Sequence, residues 1–279
     1  MSDLVLSLWC PDRSGLIHAM TAGVVSVGGN IVEMQQFASP DSGQFFARVE
    51  VQGAAAPELE SAIHEEMERY QATFRVDVVG REVRTLILAS KAGHAVNDLL
   101  FRSHSGALPI DVLAVMANHD VLAPLAEFYD VPFTHRYVSP ETKAQFEAEV
   151  RQFVIEHDVE LVVLARYMQI LSPELCEFLA GRAINIHHSF LPGFKGANPY
   201  RQAHNRGVKL IGATAHFVTS DLDEGPIIEQ NVTRVDHSMN VSKLVSKGQT
   251  QESQTLAEAV RLFAEHRVLL DGDRTVIFR

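Results

Sequence analysis

The sequence predicts an α/β protein in two parts: a small βαββαβ module over residues 1–82, then a doubly wound, mostly parallel α/β sheet over 83–279. Three observations predict it. In the first part, apolar residues alternate in four short runs and recur at helical spacing in two others. Gly80-Arg81-Glu82-Val83-Arg84 is a polar bridge at which the pattern changes. Beyond it, unbroken apolar runs of strand length alternate with helical stripes, the pattern of strands buried on both faces of a parallel sheet.

In the small module Leu4–Trp9 is the first strand, closed by Cys10-Pro11-Asp12-Arg13-Ser14-Gly15. Leu16, Ile17, Met20, Val24 and Val27 then stripe a helix that ends at Gly28-Gly29. Asn30–Phe37 and Gln44–Val51 read as a hairpin about Ser39-Pro40-Asp41-Ser42-Gly43. On the second of these strands Phe45, Ala47, Val49 and Val51 share one face, with Arg48 and Glu50 on the other. Leu59, Ile63 and Met67 mark a second helix, and Phe74, Val76 and Val78 a last strand. That order is ferredoxin-like. One sheet face left open on a small domain predicts association between subunits, hence a homo-oligomer.

In the larger part the predicted strands are Thr85–Ala89, Asp111–Met116, Leu161–Ala165, Ala183–Ile186, 210–218 and 227–235. The predicted helices cover 92–103, 121–129, Glu141–His157, Ser172–Ala180 and the stripe Leu256, Ala259, Val260 and Phe263. A hairpin, Arg267–Leu270 and Thr275–Phe278 about Asp271-Gly272, closes the pattern. Ligands of such a sheet sit at the carboxyl ends of its strands, where Asn118, Tyr167–Leu171 and Asn185/His187 fall.

Composition excludes several function classes. A formal charge of −11 without a Lys/Arg cluster is unsuited to neutralising phosphates, so no nucleic-acid partner is expected. No run approaches the roughly 20 apolar residues of a membrane span, and the short apolar run between Asp3 and Asp12 does not read as a signal peptide. The chain is expected to be cytoplasmic, without membrane partners. Two cysteines make no disulfide framework. The 13 histidines lack metal-ligand spacing, and the adjacent His187 and His188 diverge in extended chain, so no metal is expected.

The stretch Ile184-Asn185-Ile186-His187-His188-Ser189-Phe190-Leu191-Pro192 begins as an apolar strand and ends in a loop. Alternation puts Asn185 and His187 on one side, their Cβ atoms about 7 Å apart, with Ile184 and Ile186 on the other. An amide donor and an imidazole at a strand mouth can hold a developing oxyanion and move a proton. A second strand, 213–218, runs into the acidic loop Asp221-Leu222-Asp223-Glu224 before a Gly225-Pro226 turn. That loop can bring a carboxylate opposite the imidazole. On pattern alone, ordinary loops with satisfied polar side chains remain the alternative.

Asn-Ile-His-x-Ser-x-Leu-Pro followed by His-Phe-Val-Thr-x-x-Leu-Asp-x-Gly-Pro resembles the paired signature of the folate-dependent formyltransferases, and the likeness covers essentially the whole chain. The Pro11-Asp12-Arg13-Ser14-Gly15-Leu16 turn resembles that of ACT domains, which implies a small amino-acid effector near Asp12 and Gly15. The alternative there is that Gly15 relieves crowding and Asp12 caps the helix.

The family resemblance implies 10-formyltetrahydrofolate as substrate and no cofactor. Carried over by position, Asn185 donates to the oxyanion, His187 donates to the same oxygen or passes a proton, and Asp223 pairs with His187 and orients the attacking group. The family's pterin loop falls on 164–171, with Tyr167, Met168, Gln169, Ile170 and Leu171, and the second segment adds His216, Val218 and Thr219. Gln169 stands where many relatives carry arginine, and Ile170 also reads as core packing.

Three features favour water as the acceptor, releasing formate for purine biosynthesis and balancing one-carbon pools. His188 replaces a proline common in the transferases. Ala89-Ser90-Lys91-Ala92-Gly93-His94 is poor in glycine where relatives acting on glycinamide ribonucleotide have a phosphate cradle. The acidic chain argues against a transfer-RNA acceptor. Gly196-Ala197-Asn198-Pro199-Tyr200 adds to the likeness. The alternatives are formyl transfer to an amine such as glycinamide ribonucleotide, and a folate-binding, amino-acid-sensing regulatory protein.

Overall fold

The computed structural model describes residues 3–191 and 199–279. Pro192 and the motif residues Gly196, Ala197 and Asn198 lie outside the described residues. The chain forms two compact units, one of Met1–Arg81 with Leu262–Arg279 and one of Glu82–Arg261.

The first unit runs β1 (Leu4–Pro11), α1 (Leu16–Ser26), β2 (Asn30–Ala38), β3 (Gln44–Gln52), α2 (Ala56–Met67) and β4 (Thr73–Val78). Its antiparallel sheet has the order β2-β3-β1-β4, the ferredoxin-like arrangement. Leu6 and Leu8 of β1 and Val49 of β3 bury one sheet face together with Met20 of α1 and Ile63 of α2. Gly15 precedes α1 at φ +94°, and a Cβ there would stand 2.7 Å from the Tyr70 hydroxyl oxygen. The left-handed backbone favours glycine there, with the Tyr70 hydroxyl leaving little room for a side chain. Asp12 is exposed and does not cap the helix, because the N-cap is Gly15 and no side chain bonds there.

The second unit comprises β5 (Val83–Ala89), α3 (His94–His104), β6 (Ile110–Ala117), α4 (Ala123–Phe128), β7 (Phe133–His135) and α5 (Lys143–Glu156), followed by β8 (Leu161–Ala165), α6 (Pro173–Phe178) and β9 (Ala183–His187). It continues through α7 (Pro199–Arg206), β10 (Leu210–Phe217) and β11 (Ile227–Arg234) to α8 (Val241–Ala264), whose last residues count with the first unit. The strand order is β11-β10-β9-β8-β5-β6-β7. Strands β9, β8, β5, β6 and β7 are parallel, while β10 is reversed and pairs antiparallel with both β9 and β11. The sheet is thus mostly parallel. Strand order reverses beside β5, since β6 lies on one side of it and β8 on the other, which opens a crevice at their carboxyl ends.

Two elements differ from expectation. Helix α8 has 24 residues and starts at Val241, well before the apolar stripe at Leu256. Strand β7 has only three residues, too few for a periodicity to register.

The terminal hairpin, β12 (Val268–Asp271) with β13 (Arg274–Ile277), was expected within a domain 83–279 but belongs to the first unit. Alternation explains it. Phe46 and Arg48 lie on the face of β3 turned away from the helices. Phe46 packs with Val276 and Phe278 in an apolar cluster joined by Trp9 and Leu269. Arg48, 2% exposed, bonds Glu50 at 2.7 Å, Glu33 at 3.2 Å and the Glu265 carbonyl. A buried guanidinium needs that set of acceptors. The sheet face expected to be open is therefore covered here by the chain's own hairpin.

Candidate active site

The site is built on the antiparallel pair β9–β10. Asn185 lies opposite His216 and His187 opposite Thr214. Ile184 and Ile186 are buried on the other side of β9, as alternation requires. Because β9 ends at His187, alternation lapses there, and His188 lines the same cavity as His187. The following turn is pinned from β10. The fully buried Thr214 hydroxyl donates to the Ser189 carbonyl (3.0 Å) and accepts from Leu191 N–H (3.1 Å), while Gln230 donates to the Leu191 carbonyl (3.2 Å).

Asn185 Nδ2 stands 3.2 Å from His216 Nε2. His216 Nδ1 is 2.8 Å from the Phe217 carbonyl oxygen, which can only accept, so Nδ1 carries the proton and Nε2 accepts from Asn185. One N–H of the Asn185 amide remains for a ligand. His187 Nδ1 lies 3.1 Å from Asp223 Oδ2, and His187 Nε2 is buried with no partner among the described residues. Asp223 Oδ1 is 3.8 Å from His216 Nε2, too far for a hydrogen bond. Burial raises the Asp223 carboxyl, but the hydrogen bond from His187 and the two imidazoles outweigh it and hold the acid well below the usual carboxylate range.

Asp223 adopts a left-handed backbone (φ +57°) in a loop that closes tightly on β10. Phe217 N–H donates to the Pro226 carbonyl at 2.9 Å, and a Cβ on Gly225 would stand 1.8 Å from the Phe217 carbonyl oxygen. Strain and close approach together set the carboxylate behind the imidazole. Asp221, exposed, also lines the cavity.

The cavity is about 680 Å³. One wall is the loop after β8. There Met168 and Ile170 are each 59% exposed, so Ile170 is not core, whereas Tyr167 and Leu171 are buried at 7%. Tyr167 stacks on Phe146 (ring centroids 6.0 Å apart), and burial drives its hydroxyl pKa up. Ser90, after β5, accepts Met168 N–H at 2.9 Å, and buried Glu147 accepts Ser172 N–H at 2.9 Å, so both ends of the loop are fixed. Gln169, Val218 and Thr219 also line the cavity, whereas Asn118 does not.

Sequence reasoning missed a second polar cluster on the cavity wall. Glu252 of α8 is 1% exposed. It meets His94 Nε2 at 2.8 Å and Arg166 Nε at 3.3 Å, and accepts from the Tyr200 hydroxyl. A Cβ on Gly248, one turn earlier, would collide with that hydroxyl at 2.1 Å. The available signal was a carboxylate in line with the apolar positions of a helix, at Leu244, Gly248, Glu252 and Leu256. Among the described residues, no group of three or more His, Cys, Asp or Glu side chains is placed to hold a metal ion.

Residues 83–260 match the Formyl transferase family. The chain is 47% identical to a formyltetrahydrofolate deformylase of Corynebacterium sp. (strain P-1), covering 99% of this chain and 98% of that protein. The solved structure of a formyltetrahydrofolate deformylase from Burkholderia mallei superposes with a TM-score of 0.96 at 46% identity, covering all of both chains. A glycinamide ribonucleotide transformylase from Symbiobacterium toebii superposes with a TM-score of 0.66 at 32% identity, over 71% of this chain and 95% of its own. The family likeness thus extends over the small module as well as the larger sheet, and the chain belongs to the formyltetrahydrofolate deformylases, on a formyltransferase-type α/β fold.

Proposed function

We propose that this chain hydrolyses 10-formyltetrahydrofolate to tetrahydrofolate and formate, with Asn185, His187 and Asp223 as the residues that act on the formyl group. The observation that carries the assignment is the convergence of a spare Asn185 N–H and the unpartnered Nε2 of His187, with a strongly acidic carboxylate on the far nitrogen of that ring. The amide and Nε2 hold the formyl oxygen as it gains charge. Asp223 accepts from Nδ1, fixes the ring's orientation and stabilises the imidazolium whose Nε2–H donates to the formyl oxygen.

The pterin lies along Met168, Gln169, Ile170 and Leu171, with His216, Val218 and Thr219 across the cavity. Exposed Met168 and Ile170 offer an adaptable apolar surface, while Tyr167 supports the loop from behind. Incubation with 10-formyltetrahydrofolate, with and without amine acceptors, tests the reading. Formate release should be the same in both, whereas release that requires an amine would point to transfer.

The reaction needs no metal or redox cofactor. Exhaustive chelation should leave turnover intact, and a loss restored only by added zinc or iron would overturn this. No helix is long and apolar enough to cross a membrane. The protein works in the cytoplasm, where its formate feeds purine synthesis, and it assembles as a homo-oligomer. A small amino acid binds at the turn before α1, whose first N–H groups no side chain caps. An amino-acid panel in a thermal-shift assay should show one or a few stabilising ligands; a flat response would remove the effector.

A further inference from the structure

Hydrolysis needs a group that takes a proton from the attacking water, and the groups already described are poorly suited to it. Asp223 already accepts from His187 Nδ1 and lies across that ring from Nε2, the nitrogen that faces the formyl oxygen. His187 has Nδ1 on Asp223 and needs Nε2 for the formyl oxygen. Both nitrogens of His216 are engaged. Glu252 is taken up by His94 and the Tyr200 hydroxyl, with the Arg166 guanidinium beside it.

We propose that His188 accepts the proton of the attacking water, with Tyr200 of the buried Glu252–Arg166–Tyr200 cluster against its ring. The proposal rests on the hydrolytic reading above.

His188 lines the cavity beside His187, their ring centroids 5.1 Å apart and tilted by 40°. Its ring also faces Tyr200 at 6.2 Å. A formyl oxygen on His187 Nε2 leaves its carbon within reach of a water hydrogen-bonded to His188, given contacts of roughly 3 Å. Burial, then the Arg166 guanidinium, then His187 depress the His188 pKa to about 4, while Glu252 and Asp223 oppose them. The ring is therefore an uncharged base at neutral pH, and negative charge growing on the formyl oxygen raises its affinity for a proton.

The step balances. A water O–H breaks toward His188 as the oxygen bonds to the formyl carbon, and the carbonyl π pair moves onto the oxygen held by Asn185 and His187. On collapse the carbon–N10 bond breaks, and the His188 proton passes to N10. Formic acid leaves and ionises.

The test uses the full chain, with wild-type formate release as the control; absence of release there would count against the hydrolytic reading instead. His188→Gln and His188→Ala should lower the rate by roughly 10²-fold with folate affinity unchanged. Added imidazoles should partly restore His188→Ala, increasingly with their basicity. By NMR titration of labelled histidine, Arg166→Gln should raise the His188 pKa and Glu252→Gln should lower it, because the two charges act in opposite senses. A normal rate in either folded His188 variant would overturn the proposal. A loss that no imidazole relieves, or a His188 pKa indifferent to both charges, would do the same.

Discussion

Asp223→Asn should reduce the rate of formate release by roughly 10²–10⁴-fold. The substitution keeps the shape of the side chain and removes the charge that faces His187 Nδ1 at 3.1 Å. An amide there can still present an oxygen to the ring, so the imidazole stays oriented while the stabilisation of the imidazolium that donates to the formyl oxygen is lost. Folate affinity should weaken far less, because the pterin contacts proposed above lie mainly along 168–171 and an interaction strengthened in the transition state acts on rate more than on binding. Asp221 is the control: it lies two residues earlier in the same acidic loop and lines the same cavity, but is exposed. Asp221→Asn should be mild. Equal losses in both variants would mean that the loop acts through its overall negative field.

Gly225→Ala should be nearly as damaging without touching a reacting group. The added methyl would stand 1.8 Å from the Phe217 carbonyl oxygen, and neither partner is a flexible side-chain end that could swing aside. Relief must come from moving the loop, which breaks the Phe217–Pro226 hydrogen bond and withdraws the left-handed turn that presents Asp223. A misplacement of about 1 Å in a catalytic group can cost about 10²-fold in rate, and that is the loss expected here. The rest of the sheet should remain folded, so near-wild-type circular dichroism should accompany the lost activity. Full activity in Gly225→Ala would show that the position of Asp223 is not set by this turn.

Much of this site could be read from residue spacing. The alternation of Asn185 and His187 on a strand with Ile184 and Ile186 behind them is a backbone property, and the structure keeps it. The pairing of Asp223 with His187 was expected from motif resemblance, and no spacing rule would have supplied its geometry. What escaped was tertiary. Glu252 went unread because the sequence cannot say that its helix packs that face against Tyr200 and His94. The placement of His188 in the same cavity as His187 depends on β9 ending at His187, and strand ends are poorly encoded by local pattern. The hairpin was assigned to the wrong unit for a related reason. Phe46 shares its face with Arg48, and that apolar residue beside a buried cation was the sign that the sheet would be covered.

The central claim is that water, activated between these side chains, is the group that takes the formyl carbon. A single turnover of 10-formyltetrahydrofolate in isotopically labelled water, with the released formate read by mass spectrometry, tests it most directly. Formate carrying one solvent-derived oxygen, formed at the same rate whether or not an amine is present, is the predicted result. Formate without solvent oxygen, or a formylated amine in its place, would contradict the account.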